Sequence, residues 1–136
     1  MSNKSPGPAL TILAMLLALM VLSNFGKTFS HHHGVGFVLF GTRLTGTANM
    51  IVSPIVAIIL AVYVYGILAM RKFALPLGIF YAAYVIINMP LFILTYRGTA
   101  VMQEHSWSYL VPYPFVAIGV SSGAALLLYR RRADLR

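Results

Sequence analysis

Three consecutive histidines form the one local cluster of chemically active side chains in the sequence: His31, His32 and His33. Imidazole is a good ligand for zinc, copper, iron and haem. From a loop, these residues can form a metal or haem site together with His105 and Glu104. A solvated histidine cluster at the membrane surface and a pH-responsive interface are the alternatives. The sequence requires no cofactor, and binding of a metal or haem at this cluster is one of the alternatives.

A second polar feature, Asn88 with Pro90 two residues later, interrupts a long apolar segment. Proline has no N–H for the carbonyl of residue 86, so a structural kink is one interpretation. The other interpretation is ligand binding. Asn88, Tyr81 and Tyr84 would then contact the polar group of a lipid or a quinone.

Common catalytic signatures are poorly represented in this chain. Cysteine is absent, which excludes disulfides and Cys-ligated metal centres. Gly34-x-Gly36 lacks the remainder of a dinucleotide fingerprint, and no complete G-x-x-x-x-G-K-[ST] phosphate loop occurs. These observations disfavour an enzyme.

The composition indicates that the chain folds in a lipid bilayer and not in water. Of the 136 residues, 60% are hydrophobic and 9% are charged, whereas a soluble domain carries about 25% charged residues. The apolar residues fall in four blocks, each long enough to cross about 30 Å of hydrocarbon. Backbone groups in lipid must be paired within the segment, so the blocks are helices. The sequence predicts an all-α membrane protein with one four-helix transmembrane domain over 1–136, its helices at about 8–25, 53–70, 75–96 and 112–129.

The basic residues lie at the ends of the apolar blocks, which is the positive-inside pattern and not a nucleic-acid-binding stripe. With both termini on one side, that side holds Lys4, Arg71, Lys72, Arg130, Arg131, Arg132 and Arg136. The opposite side holds Lys27, Arg43 and Arg97. This asymmetry predicts a multi-pass protein of a bacterial-type inner membrane with both termini cytoplasmic. The loops 26–52 and 97–111 would then lie on the outer face.

The first outer loop is long and partly apolar. Phe37, Phe40 and Leu44 are spaced i, i+3 and i+7, the spacing of one helical face. We therefore expect a short interfacial or re-entrant helix in this loop. Ser53 and Pro54 are suited to the N-cap and the first turn of the second span.

The fourth span contains Gly119 and Gly123 in a G-x-x-x-G motif, with Ser122 beside them. Small residues at this spacing allow the close backbone approach that holds helices together in lipid. The motif predicts a helix-packing interface, either inside the four-helix unit or with a partner chain.

No charged residue lies within the four spans, which disfavours a proton-driven carrier. The leading hypothesis is therefore a non-catalytic accessory or assembly subunit of a larger membrane complex. Its partners would be membrane lipids and other membrane subunits, or further copies in a homo-oligomer. The alternatives are a binder of a lipid or quinone, and an outer-face redox protein that uses the histidines with a metal or haem.

Overall fold

A computed structural model describes residues 5–29, 36–99 and 112–136. Four α-helices occupy most of these ranges: α1 (Gly7–Thr28), α2 (Gly46–Leu68), α3 (Ala74–Tyr96) and α4 (Pro112–Arg130). Each contains a segment long and apolar enough to cross a membrane. The chain is thus a small helical membrane protein of the multi-pass type. A short 3-10 helix (Arg132–Asp134) follows α4.

The second helix begins seven residues earlier than predicted, at Gly46 and not at Ser53. Pro54 consequently lies inside the helix, and Ser53 is a buried residue whose hydroxyl donates to Asn49 Oδ1 at 2.7 Å. The first turns are more polar than the rest of the span. Apolar length alone therefore does not mark where this helix starts.

The helices alternate in direction, with α1 packed along α2, α3 packed along α4, and α1 also touching α4. Arg131, just after α4, donates hydrogen bonds to the carbonyls of Pro6 and Ser5, just before α1. The chain termini and the α2–α3 loop therefore share one end of the bundle, here called the terminal end. The opposite end is called the hairpin end. Between them lies a core that includes Leu10, Leu17, Leu60, Ile67, Ala124 and Leu128.

Between α1 and α2, the described residues form a β-hairpin in place of the expected helix. Strands β1 (Val38–Leu39) and β2 (Thr42–Arg43) are antiparallel and flank a two-residue turn at Phe40 and Gly41. Both turn residues have positive φ, 46° and 80°, as in a type I′ hairpin turn. The helical spacing of the aromatic residues was misleading because short apolar runs do not distinguish helix from strand. Gly41 tolerates the left-handed backbone that this turn requires.

Helices α2 and α3 meet closely where Tyr63 faces Gly78. Tyr63 is fully buried, with 0% of its surface exposed. A Cβ placed on Gly78 would lie 2.5 Å from the Tyr63 hydroxyl oxygen. That hydroxyl has no hydrogen-bond partner within the described ranges. Glycine at position 78 therefore provides the space that the tyrosine occupies.

We expect Gly78→Ala to lower the free energy of unfolding by roughly 1–3 kcal/mol, because the new methyl group overpacks this contact. Tyr63→Phe should restore part of that loss, since it removes the oxygen, which makes no hydrogen bond to sacrifice, but keeps ring carbons at 3.0 and 3.2 Å. Thermal unfolding in detergent measures both effects. Ala83→Val, on the exposed side of α3, is the control and should change little. A double variant no more stable than Gly78→Ala would contradict this account.

Candidate functional site

The hairpin is attached to α3 by a buried asparagine and a tyrosine. Asn88 Oδ1 accepts a hydrogen bond from the Gly41 N–H at 2.8 Å. The Asn88 Nδ2 group donates to the Val38 carbonyl at 3.2 Å, and the Tyr84 hydroxyl donates to the same carbonyl at 2.6 Å. Asn88 thus pairs with the N–H of a turn residue and with the C=O of a residue in β1.

Two further side chains complete what we call the hairpin clamp, defined as Asn49, Tyr84, Asn88 and Tyr96. Asn49, in the first turn of α2, accepts from the Phe37 N–H at 2.9 Å. Tyr96, in the last turn of α3, accepts from the Arg43 N–H at 2.9 Å. Sequence reasoning did not single out Asn49 or Tyr96. The one available signal was the spacing of Asn49 and Ser53, which places two polar side chains on one helical face.

Aromatic contacts support the same arrangement. The Phe37 ring stacks on Tyr84 with a centroid distance of 6.4 Å, and the Phe40 ring meets Tyr84 edge-on at 5.7 Å. The Arg43 guanidinium lies 6.0 Å from the centroid of the Phe92 ring. Edge-on and cation–π contacts of this kind are favourable. They therefore add to the hydrogen bonds that hold the hairpin against α3.

The depth of this contact explains why polar side chains are needed. Asn88 precedes the end of α3 at Tyr96 by eight residues, which is about 12 Å at 1.5 Å per residue. Non-helical backbone at membrane depth is tolerated where protein groups satisfy its N–H and C=O groups. The hairpin clamp supplies such partners for Phe37, Val38, Gly41 and Arg43.

The structure separates the three residues predicted to bind a ligand. Asn88 and Tyr84 both face the hairpin. Tyr81 instead donates a long hydrogen bond to the sulfur of Met20 on α1, at 3.8 Å, and its ring lies 6.2 Å from that of Tyr63. Ligand binding by this trio stays a prediction.

Met20 also belongs to the wall of a groove between α1 and α4. The groove has a volume of about 230 Å³. Its wall is mostly apolar, with polar residues nearer the hairpin end, and consists of Leu16, Leu19, Met20, Ser23, Asn24, Tyr113, Val116, Ala117 and Val120. A cleft with this distribution of residues matches the shape and polarity of an amphiphilic molecule.

The two glycines of the G-x-x-x-G motif in α4 have different surroundings. Gly123 packs against α1, since a Cβ there would make an ordinary contact of 3.7 Å with Leu13. Gly119 is exposed, and within the part of the chain that the structure describes a Cβ there would have no neighbour within 4 Å. Ser122 is half-buried, and its hydroxyl has no hydrogen-bond partner in the part of the chain that the structure describes. Packing inside the bundle therefore accounts for Gly123 but not for Gly119.

The same segment, Gly119 to Gly123, also has the letters of a G-x-S-x-G nucleophile motif. A nucleophile of that type sits on a sharp strand-to-helix turn, with its hydroxyl exposed. Here Ser121 lies in the middle of α4, is buried, and donates to the Ala117 carbonyl at 2.8 Å. The segment therefore has helical packing geometry and not that of a nucleophile elbow.

The predicted metal ligands His31, His32, His33 and His105 lie outside the described residues. Within the ranges 5–29, 36–99 and 112–136, no group of three or more His, Cys, Asp or Glu residues could hold a metal ion. The histidine site stays a prediction.

Comparison with known proteins gave no match: no protein-family model, curated protein or solved structure is significantly similar to this chain.

Replacing Asn88 by leucine should release the hairpin from α3. The Gly41 N–H would lose its partner, at a cost of roughly 1–3 kcal/mol for a buried unpaired amide. Amide hydrogen exchange of residues 36–44 should therefore become faster while exchange in the centre of α2 stays slow. Thr95→Val, an exposed polar-to-apolar change on the same helix, is the control. Unchanged exchange in Asn88→Leu would contradict the clamp.

Proposed function

We propose that this chain is a non-catalytic accessory or assembly subunit of a larger membrane complex, and that it binds a partner transmembrane helix through the exposed side of α4. The observation that carries the proposal is the open space at Gly119. A glycine that faces outward from a membrane helix lets another backbone approach closely.

The two sides of α4 differ in the way this role requires. The buried side packs into the bundle through Ala117, Val120, Ser121, Ala124, Ala125 and Leu128. The exposed side carries Gly119 between the large side chains of Phe115, Val116 and Leu126. Large residues beside an open glycine form a ridge and a depression, which a second helix can fill. Because lipid tails are as apolar as these side chains, shape and close approach would drive the association.

The orientation of the chain is part of this proposal. We place both termini in the cytoplasm of a cell with a bacterial-type inner membrane, on the strength of the positive-inside bias in the loops. The hydrogen bonds from Arg131 to Pro6 and Ser5 support a common side for the two termini. The histidine-bearing loops would then face the outer side.

Gly119→Ile is the decisive variant for the α4 interface. We expect association to weaken by roughly 1–3 kcal/mol, because the added side chain overpacks a close helix contact. The unfolding temperature should stay unchanged, since a Cβ at position 119 meets no atom of the described residues within 4 Å. Self-association is measured by energy transfer between labelled copies in liposomes, and binding to another subunit by co-purification from the native membrane.

The matched control is Ala61→Ile, which adds an isoleucine side chain to the exposed side of α2. It should leave both kinds of association unchanged. Loss of self-association in Gly119→Ile would identify the partner as a second copy, whereas loss of a co-purified protein would identify a different subunit. Unchanged association by both measurements would remove the role proposed for α4.

The groove between α1 and α4 favours a second candidate function, binding of a lipid or quinone. Its support is the cleft of about 230 Å³ together with the contact between its wall residue Met20 and the hydroxyl of Tyr81. Asn88 and Tyr84 would then affect ligand binding only indirectly, because they contact the hairpin and not the groove. For this reason Tyr81→Phe is a cleaner test of a ligand contact than a change at Asn88.

Leu19→Trp should fill the groove from α1 and reduce the amount of co-purifying lipid or quinone by at least about half, because the indole would occupy volume that a ligand needs. Ile58→Trp, on the exposed side of α2, is the control and should retain normal amounts. Mass spectrometry of organic extracts from the purified proteins provides the measurement. Equal ligand content in the two variants would count against binding in this groove.

A further inference from the structure

The residues after α4 fold back across the terminal end of the bundle. The Arg136 N–H donates to the Met70 carbonyl at 2.8 Å, and the Lys72 N–H donates to the Arg136 carbonyl at 2.8 Å. Leu135, only 7% exposed, joins the hydrophobic core beside Met70 and Ala74. The tail is thus held to the α2–α3 loop by two backbone hydrogen bonds and one buried side chain.

This docking brings together basic residues that are far apart in the sequence. Arg71 and Lys72 are exposed in the α2–α3 loop, while Arg130 and Arg132 are exposed at the end of α4 and in the tail. We call these four residues the basic surface. They share one end of the bundle because the tail is paired with the loop that carries Arg71 and Lys72.

Among the described residues, the one acidic side chain is that of Asp134, which lies in the tail itself. Asp134 forms a salt bridge with Arg131 at 3.4 Å, and Arg131 also donates to the carbonyls of Ser5 and Pro6. Arg131 therefore holds the tail and the start of α1 together. Within residues 5–29, 36–99 and 112–136, none of the four residues of the basic surface forms a salt bridge.

The position of Arg132 indicates which kind of external group the basic surface can bind. Its guanidinium lies 4.4 Å from the centroid of the Tyr129 ring, and Tyr129 is half exposed on α4. Tyrosine is enriched where hydrocarbon meets headgroups. A guanidinium at that level can bind a phosphate through two parallel N–H donors.

We propose that the basic surface, Arg71, Lys72, Arg130 and Arg132, is a binding site for the phosphate headgroup of anionic lipids, and that docking of the tail assembles it. This site is independent of the partner interface proposed for α4. It also differs from a general attraction between basic residues and a negative membrane, because such an attraction depends on charge and not on the tail being docked.

Titration of the purified full-length chain in detergent with phosphatidylglycerol, read by native mass spectrometry, tests the site. Phosphatidylcholine provides the zwitterionic comparison and should bind more weakly. Each basic residue near a headgroup contributes about a fivefold change in affinity. The pairs R71Q/K72Q and R130Q/R132Q should therefore each lose about 25-fold in phosphatidylglycerol affinity. Arg97→Gln, an exposed arginine at the hairpin end, should change nothing.

Leu135→Ser tests whether lipid binding requires the docked tail or only the positive charges. It keeps every charged residue but removes the buried side chain that holds the tail, so affinity should fall by at least about fivefold, the effect of one displaced charge. Leu135→Met keeps an apolar side chain and should retain normal affinity. Circular dichroism and thermal unfolding verify that the helices are intact, and Leu135→Ala, a milder truncation of the same buried side chain, replaces Leu135→Ser if that variant does not fold.

Three results would overturn the proposal. The first is unchanged affinity in both charge pairs, and the second is unchanged affinity in a folded Leu135→Ser protein. The third is complete displacement of the lipid by an equal concentration of inorganic phosphate, which would make free phosphate the ligand. Weaker binding at high salt is expected of the proposed site, because its charges are exposed.

Discussion

Every backbone N–H and C=O at membrane depth needs a partner within the protein, and much of this structure follows from that requirement. The helices meet it through their own hydrogen bonds. The hairpin between α1 and α2 does not, because a two-stranded ribbon leaves groups on both edges unpaired. Asn88, Tyr84, Asn49 and Tyr96 supply the missing partners. The polar residues inside and at the ends of α2 and α3 are thus explained by the hairpin that they hold.

The two ends of the bundle are closed by different means. At the hairpin end, side chains of α2 and α3 bind the backbone of an irregular segment. At the terminal end, the backbone of the tail pairs with the α2–α3 loop, and Arg131 joins the tail to the start of α1. Helices α1 and α4 are therefore linked at the terminal end, and the hairpin is linked to α2 and α3 at the other end. The apolar core between these ends has to provide close packing, as at Tyr63 and Gly78.

The surfaces proposed for function are those that packing between the helices leaves uncovered. Gly123 touches α1, while a Cβ at Gly119, one turn earlier, would meet none of the described residues within 4 Å. The groove between α1 and α4 lies in the half of the bundle nearer the hairpin end, beyond the Gly123 contact with Leu13. The basic surface is at the other end. The chain therefore exposes three different surfaces: an apolar side of α4, an amphipathic groove between α1 and α4, and a cationic terminal end.

The sequence already shows four segments that can span a membrane, because lipid requires about 20 apolar residues per helix. It also marked Asn88 and the α4 glycines as unusual. The fold was needed to show that residues 38–43 form a hairpin, that Asn88 accepts a hydrogen bond from Gly41, and that Gly119 faces outward while Gly123 faces α1. Periodicity shows which residues share a helical face but not what lies against that face. A hydrogen bond between residues 47 positions apart leaves no trace in local sequence.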